Sequence, residues 1–348
     1  MLTLIFLSTA SWTLGPFSRT SVLNPILGPN PAASFSCPMR KSAVAWEHDH
    51  VFNPAAISRN GEVYVLYRAE DNSGSGIGGH TSRVGLADSF DGVHFAKRKT
   101  PVLFPSQDIA KRYEWTGGCE DPRVVQSVDG TYVLTYTAWD RSLARLCVAT
   151  SKDLVHWKKN GPAFAKTRFL DTWSKSGSIV TKLFKNRLIA TKVDGKYWMY
   201  WGEGTLKAAT STNLIDWKPL TDDKGNLVEV LKTRPGKFDS ELVEPGPPAV
   251  LTSHGIVLIY NAKNAEKDGD RSLGTGAYAA GQALFDRKQP NRLVNRTQSY
   301  FLKPELPCEV TGQYKAGTVF TEGLAVFKGR WFLYYGCGDS YVGVAATK

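Results

Sequence analysis

The sequence predicts an all-β protein and, within that class, a five-bladed β-propeller. A short phrase recurs at an almost fixed interval. It reads Ser89-Phe90-Asp91-Gly92-Val93-His94-Phe95, then Ser151-Lys152-Asp153-Leu154-Val155-His156-Trp157, then Ser211-Thr212-Asn213-Leu214-Ile215-Asp216-Trp217. Self-similarity at a fixed period marks a repeat architecture. No long stretch shows helical periodicity, and short apolar runs between Gly, Asp and Asn turns dominate. The 348 residues are enough for one large β architecture.

In chain order, residues 1–50 read as an N-terminal arm and 51–348 as a single propeller domain. Leu2–Ala10 is apolar and ends in small residues, like the remnant of a signal-peptide core. No Lys or Arg precedes it, and it is too short to span a bilayer as a helix. The expectation is a periplasmic or secreted protein without a membrane span, with a cytoplasmic one as the alternative. Residues 11–50 carry scattered prolines and read as irregular.

The first unit opens with Phe52-Asn53-Pro54-Ala55-Ala56, turns at Asn60-Gly61, and continues as strands over 62–67 and 82–88. The glycine-rich loop 71–79 between them does not join a strand to a helix, so it is not read as a phosphate cradle. The second unit has strands at 123–128, 131–137 and 145–149, with a turn at Asp129-Gly130. The third starts near Ser176-Gly177-Ser178 and includes 196–201. The fourth starts at Glu244-Pro245-Gly246-Pro247-Pro248 and includes 256–260. The fifth starts near Phe320-Thr321-Glu322-Gly323 and includes 330–335 and 342–346. A pair of β-sandwiches would not explain the recurring phrase, whereas radial blades would.

Bulk numbers exclude some functions. The net charge is +11, but Lys and Arg are scattered, with no run longer than Lys97-Arg98-Lys99. That pattern reads as a solvated surface, not a nucleic-acid footprint. Five scattered cysteines without a CxxC argue against a zinc site or a disulfide framework and for buried free thiols. Ten Trp, 14 Tyr and 16 Phe suit a large β core and also suit stacking on sugars.

In a propeller the innermost strand of each blade starts near the axis. Asn53, Asp121, Ser176, Glu244 and Glu322 stand at those places, and three of the five are acidic. Converging carboxylates fit glycosidic chemistry, and a structural cation is the plainer alternative. The segment Gly117-Gly118-Cys119-Glu120-Asp121-Pro122-Arg123 is the focus. Pro122 is expected to push Asp121 towards an extended backbone and so to aim its carboxylate. Taken alone, an Asp-Pro turn is a common structural device.

Together with Asn53-Pro54-Ala55-Ala56, Leu66-Tyr67-Arg68-Ala69-Glu70-Asp71, Glu244-Pro245-Gly246-Pro247-Pro248 and Tyr334-Tyr335-Gly336-Cys337-Gly338-Asp339, this segment resembles glycoside hydrolase family 130. That family holds β-mannoside phosphorylases and β-mannosidases on a five-bladed propeller. The resemblance implies that Asp121 is the acid, acting through a hydroxyl of the mannose it binds. It implies that Asn53, Arg68 and Asp339 hold that sugar. Glu120, Arg123, Lys175 and Ser176 complete the expected substrate-binding set. Arg68 has a structural alternative, an ion pair with Glu70 or Asp71.

One departure decides the branch. Where the phosphorylases place a His-Arg pair that grips phosphate, this chain has Trp201-Gly202 followed by Glu203. An anion site needs cationic donors. The expectation is therefore an inverting exo-β-mannosidase acting on manno-oligosaccharides, β-1,2-linked by analogy with this branch, with no cofactor and no metal. Glu203 and Glu244 are the candidate bases, both matching glutamates of the hydrolase branch. Glu203 follows an apolar strand, and burial there would raise its pKa. The rivals are a phosphorylase releasing mannose 1-phosphate, with Arg145 and Lys175 supplying the anion site, and a non-catalytic carbohydrate-binding propeller.

Overall fold

Short β-strands dominate the computed structural model, which describes residues 11–19 and 24–348. The apolar segment Leu2–Ala10 lies outside the described residues. The helices among them are two four-residue turns, Lys111–Glu114 and Pro307–Val310. None of the described helices is long and apolar enough to cross a membrane.

The strands form five antiparallel meanders in chain order. The first runs through His50–Arg59, Glu62–Glu70, Ser82–Ser89 and Ala96–Lys97. The second runs through Gly118–Gln126, Tyr132–Trp139, Ala144–Ser151 and Lys158–Pro162. In the third, Ser178–Phe184 pairs with both Arg187–Ala190 and Lys196–Trp201, and Leu206–Ser211 follows. The fourth holds Leu242–Pro245, Ala249–Leu251, Ile256–Lys263, Tyr278–Phe285 and Leu293–Arg296. The fifth is Val319–Phe327, Arg330–Cys337 and Tyr341–Ala346, completed by Ser18–Arg19 from the other end of the chain. The arm read as irregular therefore contributes this strand and a hairpin, Ser34–Cys37 with Ser42–Ala45.

Packing explains why the strands read as nearly continuous apolar runs. Five apolar clusters lie between successive meanders. Leu66, Leu86, Val124 and Leu134 join the first to the second. Val133, Val148, Ile179 and Met199 join the second to the third. Tyr200, Leu206, Leu258 and Tyr260 join the third to the fourth. Ile259, Ala280, Leu324 and Leu333 join the fourth to the fifth. Val65, Tyr67, Phe332 and Tyr334 join the fifth back to the first. Neighbours such as Val65 and Leu66 therefore face different clusters, as the period of two requires, and both faces of each central strand are buried.

The recurring phrase is one turn used three times. The Ser hydroxyl accepts the backbone N–H of Gly92, Leu154 or Leu214 at 2.8, 2.9 and 2.9 Å. The Asp or Asn side chain accepts the N–H three residues on, from His94, His156 or Asp216. The third residue after Ser has φ of 83°, 71° and 67° in turn, so only the first copy uses the residue that adopts it without strain. In the fourth meander Asp286 caps Lys288 and Gln289 alone, without the serine or the aromatic. All five cysteines are buried and free.

Candidate active site

The first strands of three of the meanders do not enter as regular β structure. Register shifts fall between Phe52 and Pro54, between Glu120 and Arg123, and between Thr321 and Gly323. They set Asn53, Asp121 and Glu322 out of the ladder, which re-aims their side chains. Asn53, Asp121, Ser176 and Asp339 all have positive φ, at 46°, 47°, 58° and 52°. Such strain costs roughly 1–3 kcal/mol per residue and gathers at functional sites. The extended backbone expected for Asp121 is thus not observed. The bulge and the contacts on its carboxylate outweigh the local preference of a residue before proline. Gly118 lies just upstream with φ 115°; a Cβ there would come 2.1 Å from the Ser82 carbonyl oxygen. Gly336 leaves room for Asn53, since a Cβ would meet its Oδ1 at 2.2 Å.

These devices line a cavity of about 160 Å³ with Phe52, Asn53, Arg68, Asp121, Lys175, Glu203, Glu244, Tyr278 and Asp339 among its walls. Asn53 Nδ2 donates to Asp121 Oδ1 at 2.9 Å, and Arg68 donates to the same oxygen at 3.1 Å. Arg68 also reaches Glu70 at 2.5 Å and Glu120 at 2.9 Å. Both readings of Arg68 therefore hold together: it is a buried ion-pair hub and it lines the cavity. Lys175 Nζ lies between three carboxylates, 3.3 Å from Glu244, 3.7 Å from Asp121 and 4.0 Å from Glu203. Through Lys175, Asp121 and Glu244 are at most about 7 Å apart, and this bound reaches the roughly 6.5–9.5 Å of inverting pairs.

Each carboxylate has its own environment. Burial works to raise Asp121, but Arg68, Lys175, Asn53 and Arg123 together hold it below the usual carboxylate range. Burial pushes Glu120 up to about 7, with Asp121 and Glu70 adding repulsion and Arg68 opposing. Burial likewise pushes Asp339 up to about 7. Glu244 is raised by burial, and Lys175 offsets part of the rise. It also accepts the Ser176 hydroxyl. Glu203 is not buried as its position after an apolar strand suggested. Its side chain is 29% exposed, and its Oε2 accepts Trp173 Nε1–H at 3.0 Å.

Three expected substrate-binding residues stand behind the cavity instead of lining it. Arg123 is engaged by the protein: it donates to the Gly246 and Pro245 carbonyls, both at 2.8 Å, and to the Asp121 carbonyl at 3.1 Å. Its guanidinium also faces the buried Glu322 at 3.2 Å. Glu120 is held by Arg68 and Ser82, and Ser176 by Glu244. His50, Glu70 and His80 bring donor atoms within 4.8 Å of one another. Glu70 there already accepts from Arg68 and from Gln313 at 3.1 Å, and His80 Nδ1 sits 2.7 Å from the Asp71 carbonyl. Glu70 thus supports Arg68, and His50 Nδ1 lies 2.8 Å from Ser340 Oγ.

A family model described as beta-1,4-mannooligosaccharide phosphorylase, of glycoside hydrolase family 130, matches residues 24–348. The chain belongs to glycoside hydrolase family 130. It is 33% identical over 312 residues to a 1,2-beta-oligomannan phosphorylase of Thermoanaerobacter sp. (strain X514), covering 88% of this chain and 93% of that protein. A solved glycosyl hydrolase from Bacteroides ovatus is 50% identical with a TM-score of 0.94, over 96% of this chain and 94% of that one. Another solved structure, 49% identical with a TM-score of 0.95, covers 97% of this chain and 94% of that one. It is described under the statement that the GH130 family of mannoside phosphorylases contains glycoside hydrolases that target beta-1,2 mannosidic linkages in Candida mannan.

Within this family-130 cavity, sequence reasoning missed Tyr278, Gln313, Tyr314, Thr318 and Phe320. Tyr278, Gln313, Tyr314 and Thr318 come from segments with no motif, and Phe320, which opens the fifth unit, was not read as a wall of the site. Their one signal is position, since Thr318 and Phe320 flank the start of the strand carrying Glu322.

Proposed function

We propose that the five meanders are the blades of a five-bladed β-propeller and that the protein is an inverting exo-β-mannosidase of β-1,2-linked manno-oligosaccharides. Five shared clusters, the last joining the fifth meander to the first, support the radial arrangement. The state of the cations carries the hydrolase reading. Arg145, which could have gripped phosphate, is taken by Asp140 and Asp171, both at 2.9 Å. Lys175 is ringed by three carboxylates. A phosphate dianion placed there would meet Glu203 and Glu244 before it met a free donor. The half-identical structure whose description states that the family contains glycoside hydrolases of beta-1,2 mannosidic linkages supports the same side. The phosphorylase at 33% identity is the more distant relative of the two.

In this reading Asn53, Arg68 and Asp339 hold the terminal mannose. Asp121 relays a proton to the departing oxygen through a hydroxyl of that sugar. Beside it, burial and the repulsion of Asp121 raise Glu120 to about 7, so Glu120 gives up its proton as the pH rises through about 7. Water sits between Glu203 and Glu244. Glu244 takes its proton, because burial raises its affinity for one and Lys175 and Ser176 fix its orientation. Glu203 orients the water from the mouth. Attack on the face opposite the leaving group inverts the anomeric carbon.

The test is release of mannose from β-1,2-mannobiose with and without inorganic phosphate, followed by proton NMR of the first product. Equal rates and an inverted, α-configured mannose are expected. A phosphate requirement with mannose 1-phosphate as product would make it a phosphorylase, and no turnover under either condition would leave a binding protein.

A further inference from the structure

The cavity is far smaller than the roughly 300–1,000 Å³ that encloses a drug-sized ligand, and its described walls are mostly polar. In the mannosidase reading it takes one sugar ring, and the next ring of the substrate rests at the mouth. The mouth is built differently. Trp173 stands there 48% exposed, although a side chain of that size is normally packed away. Its ring meets Trp139 edge to face, with centroids 5.8 Å apart and planes at 67°. Trp139 Nε1–H donates to the Gly78 carbonyl at 3.2 Å, and Arg141 donates to the Gly79 carbonyl at 2.6 Å. These bonds hold the glycine-rich loop in place. Its Ile77 is 64% exposed and lines the cavity. The loop that cradles no phosphate thus forms an apolar rim with the two tryptophans.

Resting on the mannosidase reading, we propose that Trp173, backed by Trp139 and flanked by Ile77, is the platform for the leaving-group sugar. The occupant is the second pyranose of a β-linked manno-oligosaccharide, lying with its apolar C–H face on the indole. Two observations favour a sugar over a partner protein. The rim is continuous with the cavity through Ile77 and Glu203. The indole is also pinned by its Nε1–H bond to Glu203 Oε2 at 3.0 Å, so the ring face is preset and loses little entropy on binding. The same bond makes Trp173 a positioning residue for Glu203.

The two roles separate by substitution. Trp173→Phe keeps an aromatic face and deletes the N–H bond, whereas Trp173→Ala deletes both. β-1,2-Mannobiose and mannose are titrated calorimetrically into an Asp121→Asn protein that keeps Trp173, and into its W173F and W173A derivatives. W173A should weaken mannobiose at least about 10-fold and W173F less than about 3-fold, with mannose changed by less than about 2-fold in either. With Asp121 intact, W173F should lower kcat on mannobiose while leaving KM within about 2-fold, the mark of lost Glu203 orientation. Equal loss of mannose and mannobiose in W173A, or no loss of mannobiose, overturns the platform while the mannosidase reading stands. Failure of the wild type to bind or cleave any mannoside overturns that reading, and the platform falls with it.

Discussion

Lys175 is the residue on which the electrostatics of the cavity turn, and Lys175→Met isolates its charge, because Met keeps most of the stem. Its Nζ lies 3.3, 3.7 and 4.0 Å from Glu244, Asp121 and Glu203. At an effective dielectric of about 20 each contact is worth roughly 4–5 kcal/mol. Desolvation of the ammonium offsets much of that sum, and removing one partner of a buried pair costs about 3–5 kcal/mol in practice. The sign depends on pH. Lys175 helps to hold Asp121 below its ordinary range, so that stability is present above the unfolded value and is lost as pH falls through the folded one. Without Lys175, the carboxyl groups of Asp121, Glu203 and Glu244 face one another with no ammonium between them. On acidification Glu244, already raised by burial, takes up a proton more readily than a free carboxyl and relieves the repulsion. Thermal melts of wild type and K175M at both pH values read this directly. The variant should lose about 5–10 °C at pH 8 and less than half of that at pH 5. Equal losses at the two pH values would mean that the stem, not the charge, carries the effect. No loss at pH 8 would refute the reasoning outright.

Three further outcomes follow from the same geometry. Asp121→Asn should cut turnover about 10²–10⁴-fold and also lower the melting temperature near pH 7, because Arg68 and Lys175 hold this carboxylate below its ordinary range and lose their partner, checked by kinetics and calorimetry on one preparation. Glu120→Gln should stabilise the fold at pH 8 by about 3 kcal/mol and do little near pH 4.5. The folded carboxyl is raised from 4.5 to about 7, so its stability is lost as pH rises between those values, and denaturant melts across that window would show it. Gly118→Ala should destabilise by more than about 2 kcal/mol, because the new Cβ meets the Ser82 carbonyl at 2.1 Å on a backbone with φ 115°; an unchanged melting curve would count against the strain argument.

Much of this was open to reading from sequence because the fold repeats its turns. The Ser-x-Asp/Asn phrase places three side-chain caps at fixed distances from three strand ends, and its period marks the meanders. The fourth meander was harder to see, because Asp286 caps alone and no serine or aromatic announces it. The strand formed by Ser18–Arg19 was missed for another reason. Two residues carry no period, and the pairing that makes them a strand is with Ala346 and Ala345 at the opposite end of the chain.

At the site, position was legible and environment was not. Asn53, Asp121 and Glu244 could be brought together because each begins a unit of the same repeat. What each side chain does there depends on partners that no spacing reveals. Arg123, two residues from Asp121, turns away to the carbonyls of residues 245 and 246, whereas Lys175 reaches across to carboxylates of the second, third and fourth units. The backbone of Asp121 gives the sharpest case. Local sterics before Pro122 favour an extended residue, yet φ is 47°. An extended Asp121 would stay in the ladder and point its carboxylate along the sheet normal, into one of the apolar clusters on either side. The bulge removes it from that alternation and turns it to Asn53 and Arg68. A strained backbone and a charged side chain thus compensate each other, and local preference misreads the residue at the place where the site is built.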